Sequence, residues 1–123
     1  MVALAVAGLP PAAAGVDHVV GRRDHVGERH ERYAIRLLTR IVPSQRWGIP
    51  PAAPSAWMLH FKGGWSPATE GGWRVNQVML LRRAERRFSV AILTRRQPAK
   101  HYGEQTIEGV ARRLLRGYNR LSR

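Results

Sequence analysis

Three segments in the second half of the chain alternate apolar and polar residues, the pattern of β-strands that bury one face. They cover residues 57–65, 73–82 and 87–94. In the first segment, Trp57, Leu59 and Phe61 share one face, and Met58, His60 and Lys62 share the other. The pattern therefore predicts a sheet with at least one buried face.

The second and third segments are separated by the short turn Arg83-Ala84-Glu85-Arg86. Strands joined by so short a turn pair antiparallel. The second segment also carries Val78 and Leu80 on the face opposite Val75 and Met79. Apolar residues on both faces predict a central strand that is covered on each side.

Two segments show the spacing of an amphipathic helix. The first covers residues 28–42 and ends at Pro43, which cannot continue a helix. The second covers residues 103–120, and its apolar stripe consists of Ile107, Val110, Ala111, Leu114 and Tyr118. We therefore expect an α+β fold, with three or more antiparallel strands and a C-terminal helix packed on the sheet.

The first 30 residues lack this patterning, and we expect a poorly ordered leader or linker there, followed by one domain over residues 31–123. The apolar start has no preceding basic residue and is interrupted by Pro10 and Pro11, so it is not a convincing signal peptide. No run reaches the roughly 20 apolar residues that a membrane span needs. Asp17-His18 and Asp24-His25 match no metal-ligand spacing, and we expect neither a metal nor a cofactor.

The chain is strongly basic, with a formal charge of +13, and it contains no cysteine, so disulfides cannot stabilise it. Of 21 basic residues, only Lys62 and Lys100 are lysine, and the arginines are spread over the helices, the turn and both flanks. This distribution argues against nucleic acid as a dedicated partner. A small basic module that binds nucleic acid or anionic surfaces remains the alternative function.

The segment 57–65 delivers Lys62 onto Gly63 and Gly64. Glycines at a strand end let a ligand approach the main chain, and a nearby cation favours an anionic ligand. A solvated lysine before an ordinary Gly-Gly turn is the competing interpretation.

Five motifs in order resemble the serine hydrolases of the class A β-lactamase and penicillin-binding-protein family, especially actinobacterial β-lactamase-like members. The motifs are Gln45-Arg46-Trp47-Gly48-Ile49-Pro50, Lys62-x-Gly64-Trp65, Trp73-x-Val75-Asn76, Ala91-Ile92-Leu93-Thr94 and Tyr102-Gly103-x-x-Thr106-Ile107-Glu108-Gly109. The resemblance covers residues 35–121 and corresponds to the C-terminal part of the family domain.

The resemblance implies a substrate-binding strand made of Lys62, Gly63, Gly64 and Trp65. Lys62 would replace the lysine of the family's Lys-Thr-Gly motif, and Gly63 stands where a hydroxyl residue is usual. The backbone N–H of Trp65 falls where the family places one of two oxyanion donors. The implied ligand is a β-lactam or a peptide-like substrate.

The acylating motif of the family, Ser-x-x-Lys, is absent from these residues. Leu59 and Gln97 stand three positions before Lys62 and Lys100. We therefore expect no complete catalytic site and a truncated hydrolase domain that is inactive alone. A separate chain that supplies the missing N-terminal half is the partner that this expectation leaves open. Many family members are extracytoplasmic, but the sequence leaves the localisation of this one open.

Overall fold

The computed structural model describes the backbone of residues 2–9 and 27–121. In chain order the elements are β1 (Val2–Leu9), α1 (Glu28–Thr39), a 3-10 turn (Pro43–Gln45), α2 (Ile49–Ala52), β2 (Met58–Pro67), β3 (Trp73–Arg83), β4 (Arg86–Gln97) and α3 (Lys100–Leu121). The expected α+β fold is confirmed, with an antiparallel sheet and a C-terminal helix.

The strands form one antiparallel sheet in the order β1-β4-β3-β2. The predicted turn between β3 and β4 is confirmed, with Arg83 opposite Arg86 and Ala84 at φ 49°. At the other end of the order, β2 pairs only with β3 among the described residues. This strand, which carries Lys62, is therefore an edge strand.

One face of the sheet, which we call the core face, is covered by α2 and α3. Its buried side chains come from every second residue of β2, β3 and β4: Phe61, Val75, Gln77, Met79, Leu81, Phe88, Val90, Ile92 and Thr94. From α3, Ile107, Ala111 and Leu115 are buried against them. Each large apolar side chain removed from water contributes about 1.5 to 3 kcal/mol to folding.

The helix α3 approaches β3 closely at Gly103. A Cβ at that position would lie 2.5 Å from Cγ2 of Val75, so only glycine fits without movement. The helix begins at Lys100, earlier than the predicted residue 103, directly after Pro98 and Ala99. The third strand also extends beyond its predicted end at residue 94, because β4 continues to Gln97, and only Pro98 and Ala99 separate it from α3.

The opposite face, which we call the outer face, carries His60, Lys62, Val78 and Leu93. Helix α1 contacts it over β2, where His60 is buried. Farther across the sheet, Val78 is 49% exposed and Leu93 is 45% exposed. The expectation that β3 is covered on both faces is therefore wrong at Val78, because α1 packs mainly on the edge strand β2.

Residues 2–9 form β1, which pairs with β4 along its whole length from Val2↔Thr94 to Leu9↔Arg87. A leader was expected here because the segment lacks apolar–polar alternation. Pairing with β4 satisfies the backbone groups of β1 that face β4 and the remaining free side of β4, and apolar–polar alternation gives no information on such pairing. The Asp17-His18 and Asp24-His25 pairs lie outside the described residues, so the remainder of the leader prediction stays a prediction.

Helix α1 is shorter than predicted, since it ends at Thr39 rather than at residue 42. The N–H of Arg40 closes its last turn by donating to the carbonyl oxygens of Arg36 and Leu37.

Within the described residues, no helix is both long and apolar enough to cross a membrane.

Candidate functional site

The four predicted site residues lie together in the second half of β2, but they do not share one face. Lys62 and Gly64 lie on the outer face, opposite Val78 and Asn76 of β3. Gly63 and Trp65 lie on the core face. What the four residues share is their place on the edge strand. In an antiparallel pair, alternate residues point their backbone N–H and C=O groups away from the partner strand, so half of these groups face outward from the sheet.

Lys62 is exposed, and its ammonium group donates a hydrogen bond to the carbonyl oxygen of Gly63. The cation is thus held at the edge of its own strand. Next along the strand, a Cβ added at Gly64 would have no atom within 4 Å. The outer face at Gly64 therefore has room for a ligand beside the main chain.

The space beside Gly63 is filled by the ring of Trp47. A Cβ at Gly63 would lie 2.6 Å from Cζ2 and 2.8 Å from Cη2 of that ring. A serine or threonine cannot fit here unless the indole moves. The packing of Trp47 thus explains why position 63 is a glycine, and the sequence did not reveal this contact.

Trp47 is held in place through its main chain by Gln77, which is only 1% exposed. The amide Nε2 of Gln77 donates to the carbonyl oxygen of Trp47 at 2.8 Å, and the N–H of Ile49 donates to Oε1 of Gln77 at 2.7 Å. Both ends of the amide are satisfied, which makes its burial tolerable. In the sequence, Gln77 is a polar residue between Val75 and Met79 on an otherwise apolar face. This is the signal that could have identified its structural role.

Trp65 completes an aromatic cluster at the edge of the sheet. Its ring meets that of Trp47 edge-to-face, with centroids 5.8 Å apart at 73°. The ammonium group of Lys100 lies 4.3 Å from the centroid of Trp65 and 3.0 Å from Oε1 of Glu104. A cation over an indole face is a favourable contact. Lys100, the second lysine, therefore anchors the start of α3 to β2.

His60 is buried between α1 and the outer face at 3% exposure. Its Nδ1 lies 2.7 Å from the hydroxyl of Thr39, which itself donates to the carbonyl oxygen of Ile35 at 2.8 Å. The imidazole must therefore donate from Nδ1, and Nε2 has no partner among the described residues. Burial, reinforced by the charge of Arg82, lowers the pKa of His60 below its ordinary value of 6.5.

A shallow depression lies at the other end of β2 and does not include Lys62. Its lining includes Thr39, Arg46, Pro54, Trp57 and Met58. The candidate site therefore lies outside this depression, on an exposed part of the edge strand. Among the described residues no group of three or more histidine, aspartate or glutamate side chains could hold a metal ion.

Chemically, this edge offers a cation, an accessible glycine backbone and the N–H of Trp65. The chain has no Ser-x-x-Lys to supply a nucleophile, and Gln97, three residues before Lys100, is itself buried. The arrangement can bind an anionic or amide-containing group, but it carries no acylating serine.

Comparison with known proteins gives one distant structural likeness. No protein-family model matches the sequence, and no curated protein matches it. The fold is similar to that of PBP-A, a penicillin-binding protein, with a TM-score of 0.60 at 15% identity. The match covers 76% of this chain and 33% of PBP-A, so the chain spans about a third of that protein's length. The described residues thus have a distant penicillin-binding-protein-like fold.

Proposed function

We propose that the edge of β2 is one wall of a β-lactamase-like ligand site, which binds a β-lactam or peptide-like ligand reversibly. The observation that carries this is the combination of Lys62 and the uncovered Gly64 on an edge strand. An extended peptide-like ligand can pair with the free backbone groups of such an edge. The likeness to PBP-A supports the proposal at the level of the fold.

The proposed roles follow from the chemistry of each group. Lys62 attracts a ligand carboxylate, Gly64 gives the ligand room beside the main chain, and the N–H of Trp65 donates to a ligand carbonyl. In acyl-transfer sites, losing one oxyanion donor typically costs about a hundredfold to a thousandfold in rate. A site that has this donor but no nucleophile binds its ligand without forming an acyl-enzyme.

The nucleophile of such a site would come from residues outside these 123. A longer form of this chain, or a separate polypeptide that carries Ser-x-x-Lys, could supply it. The function proposed for the chain alone is therefore that of an incomplete serine hydrolase domain.

Binding is tested by titrating benzylpenicillin against tryptophan fluorescence, because Trp47 and Trp65 lie beside the proposed site. We expect a saturable change, with affinity weaker by about ten- to a hundredfold for Lys62→Ala, since hydrogen bonds to charged groups contribute about 1.5 to 3 kcal/mol. Arg113→Ala removes an exposed charge from α3 and should leave the affinity unchanged. Equal affinity for the parent and Lys62→Ala would argue against the proposed wall.

Acylation is tested separately with a fluorescent penicillin on a denaturing gel and with nitrocefin turnover. We expect neither a covalent adduct nor turnover from the chain alone. An adduct on the purified chain would show that it contains a nucleophile that this proposal lacks.

A further inference from the structure

Four arginines flank the two-residue turn between β3 and β4, and they face each other in pairs. The register places Arg82 opposite Arg87 and Arg83 opposite Arg86. Directly opposed residues of an antiparallel pair have Cβ atoms about 4.5 to 5.5 Å apart, and like charges at this spacing are destabilising. The Arg82–Arg87 pair therefore carries an unfavourable charge combination.

The Arg82–Arg87 pair lies on the outer face, where both side chains are half-buried. Partial burial removes some of the water that screens two guanidinium groups, so they repel more strongly than a fully exposed pair does. Neither arginine belongs to the ion pairs between described residues. Those pairs are Glu28–Arg32, Glu70–Arg74, Lys100–Glu104 and Glu108–Arg112.

A second observation shows the positive field at this end of the sheet. Two effects lower the pKa of His60: burial is the larger, and the positive charge of Arg82 is the second. Ser89 shares the outer face two residues along β4 from Arg87 and is also half-buried. The region thus combines two cations and a hydroxyl group.

We propose that Arg82 and Arg87 bind a phosphate group between their guanidinium groups. Each guanidinium is a planar fork that can donate two parallel hydrogen bonds to phosphate oxygens. A phosphate dianion between them neutralises both charges and converts the unfavourable pair into two attractive contacts. The ligand is a phosphate monoester or pyrophosphate, either free in solution or as a lipid headgroup.

This site is separate from the edge that carries Lys62. Arg82 pairs with Met58 at the start of β2, whereas Trp65 pairs with Val75 near its end. The phosphate site therefore does not depend on the proposed function, and either can fail without the other.

Thermal unfolding with and without pyrophosphate, at matched ionic strength in chloride, tests the proposal. The variants are Arg87→Gln, Arg87→Lys and, as an exposed-arginine control, Arg113→Gln. Saturating pyrophosphate should raise the Tm of the parent by about 3 to 6 °C, because a ligand that binds only the folded state stabilises it. The rise should fall by more than half in Arg87→Gln, be intermediate in Arg87→Lys, and be unchanged in Arg113→Gln.

The state without phosphate gives an independent readout. There, Arg87→Gln should unfold at the same temperature as the parent or higher, since it removes a repulsion. If the parent binds vesicles that contain phosphatidic acid and Arg87→Gln does not, the ligand is a lipid headgroup. If the parent responds to pyrophosphate but not to these vesicles, the ligand is a soluble phosphate. The proposal is overturned if the parent responds to neither probe, or if the parent and Arg87→Gln respond equally.

Discussion

At the scale of single residues, the site is shaped by contacts that are remote in sequence. Gly63 reads as a missing hydroxyl when the strand is considered alone, but the structure shows that Trp47 occupies the space of its side chain. Gln77, from a third segment, fixes the main chain at Trp47. The alternation of β2 predicted which residues are neighbours along the strand, but it could not predict what packs beside each of them.

Gly63→Thr should destabilise the protein by about 1 to 3 kcal/mol, because an added side chain must displace a packed ring. Chemical denaturation measures the free energy of unfolding. In the background of Trp47→Ala the same change should cost much less, since the ring is gone. If Gly63→Thr cost the same with and without the indole, the contact would not explain the glycine.

His60 should make the free energy of unfolding depend on pH between about 5 and 7, a range in which most carboxylates are already ionised. Burial lowers the pKa of His60 in the folded state. As the pH falls through the ordinary value of 6.5, the unfolded chain therefore takes up a proton before the folded chain does. Stability is therefore complete above this value and falls as the pH decreases from about 7 toward 5.

His60→Gln should remove this component of the pH dependence, and His101→Gln, at an exposed position of α3, should retain it. Urea denaturation at a series of pH values measures the difference. The same slope in the parent and in His60→Gln would contradict the burial of a neutral imidazole under α1.

At the scale of elements, α3 shows how far periodicity reaches. Its apolar stripe was predicted from spacing, and Ile107 and Ala111 are buried as expected. Leu115, which lay outside the predicted stripe, is also buried, whereas Leu114 is only partly so. Spacing therefore predicts the buried side of the helix to within one position, but it does not predict the close approach of α3 to β3 at Gly103.

Leu115→Ala should cost about 2 to 4 kcal/mol, the usual range for a leucine truncated in a core. Arg116→Ala, at the exposed neighbouring position, should change stability by less than about 0.5 kcal/mol. Thermal or denaturant unfolding gives both values. A small effect at Leu115 would show that the helix does not pack on the sheet as described.

The turn between β3 and β4 contains a correctable strain. Ala84 has φ 49°, a conformation that glycine adopts more easily than alanine. Ala84→Gly should stabilise the protein by about 0.5 to 1 kcal/mol. Ala91→Gly, within β4, should change stability in the opposite direction, and a loss of stability in both variants would contradict the described turn.

At the scale of the molecule, the alternation and the short turn were sufficient to predict the antiparallel sheet and its terminal helix. They could not predict β1, because its segment VALAVAGL is apolar throughout and only its pairing with β4 identifies it as a strand. The apolar residues on both faces of β3 also led to the prediction that both of its faces are covered, which is wrong for the outer face at Val78. Val78 and Leu93 remain exposed on the outer face in a chain that spans about a third of PBP-A.

The most direct test of the proposed function is a map of backbone amide resonances during titration with benzylpenicillin, together with the intact mass of the protein. We predict shifts centred on Lys62, Gly64 and Trp65, smaller shifts at β1 and the β3–β4 turn, and an unchanged mass. A mass increased by one penicillin, or shifts that leave the edge of β2 unaffected, would contradict the account.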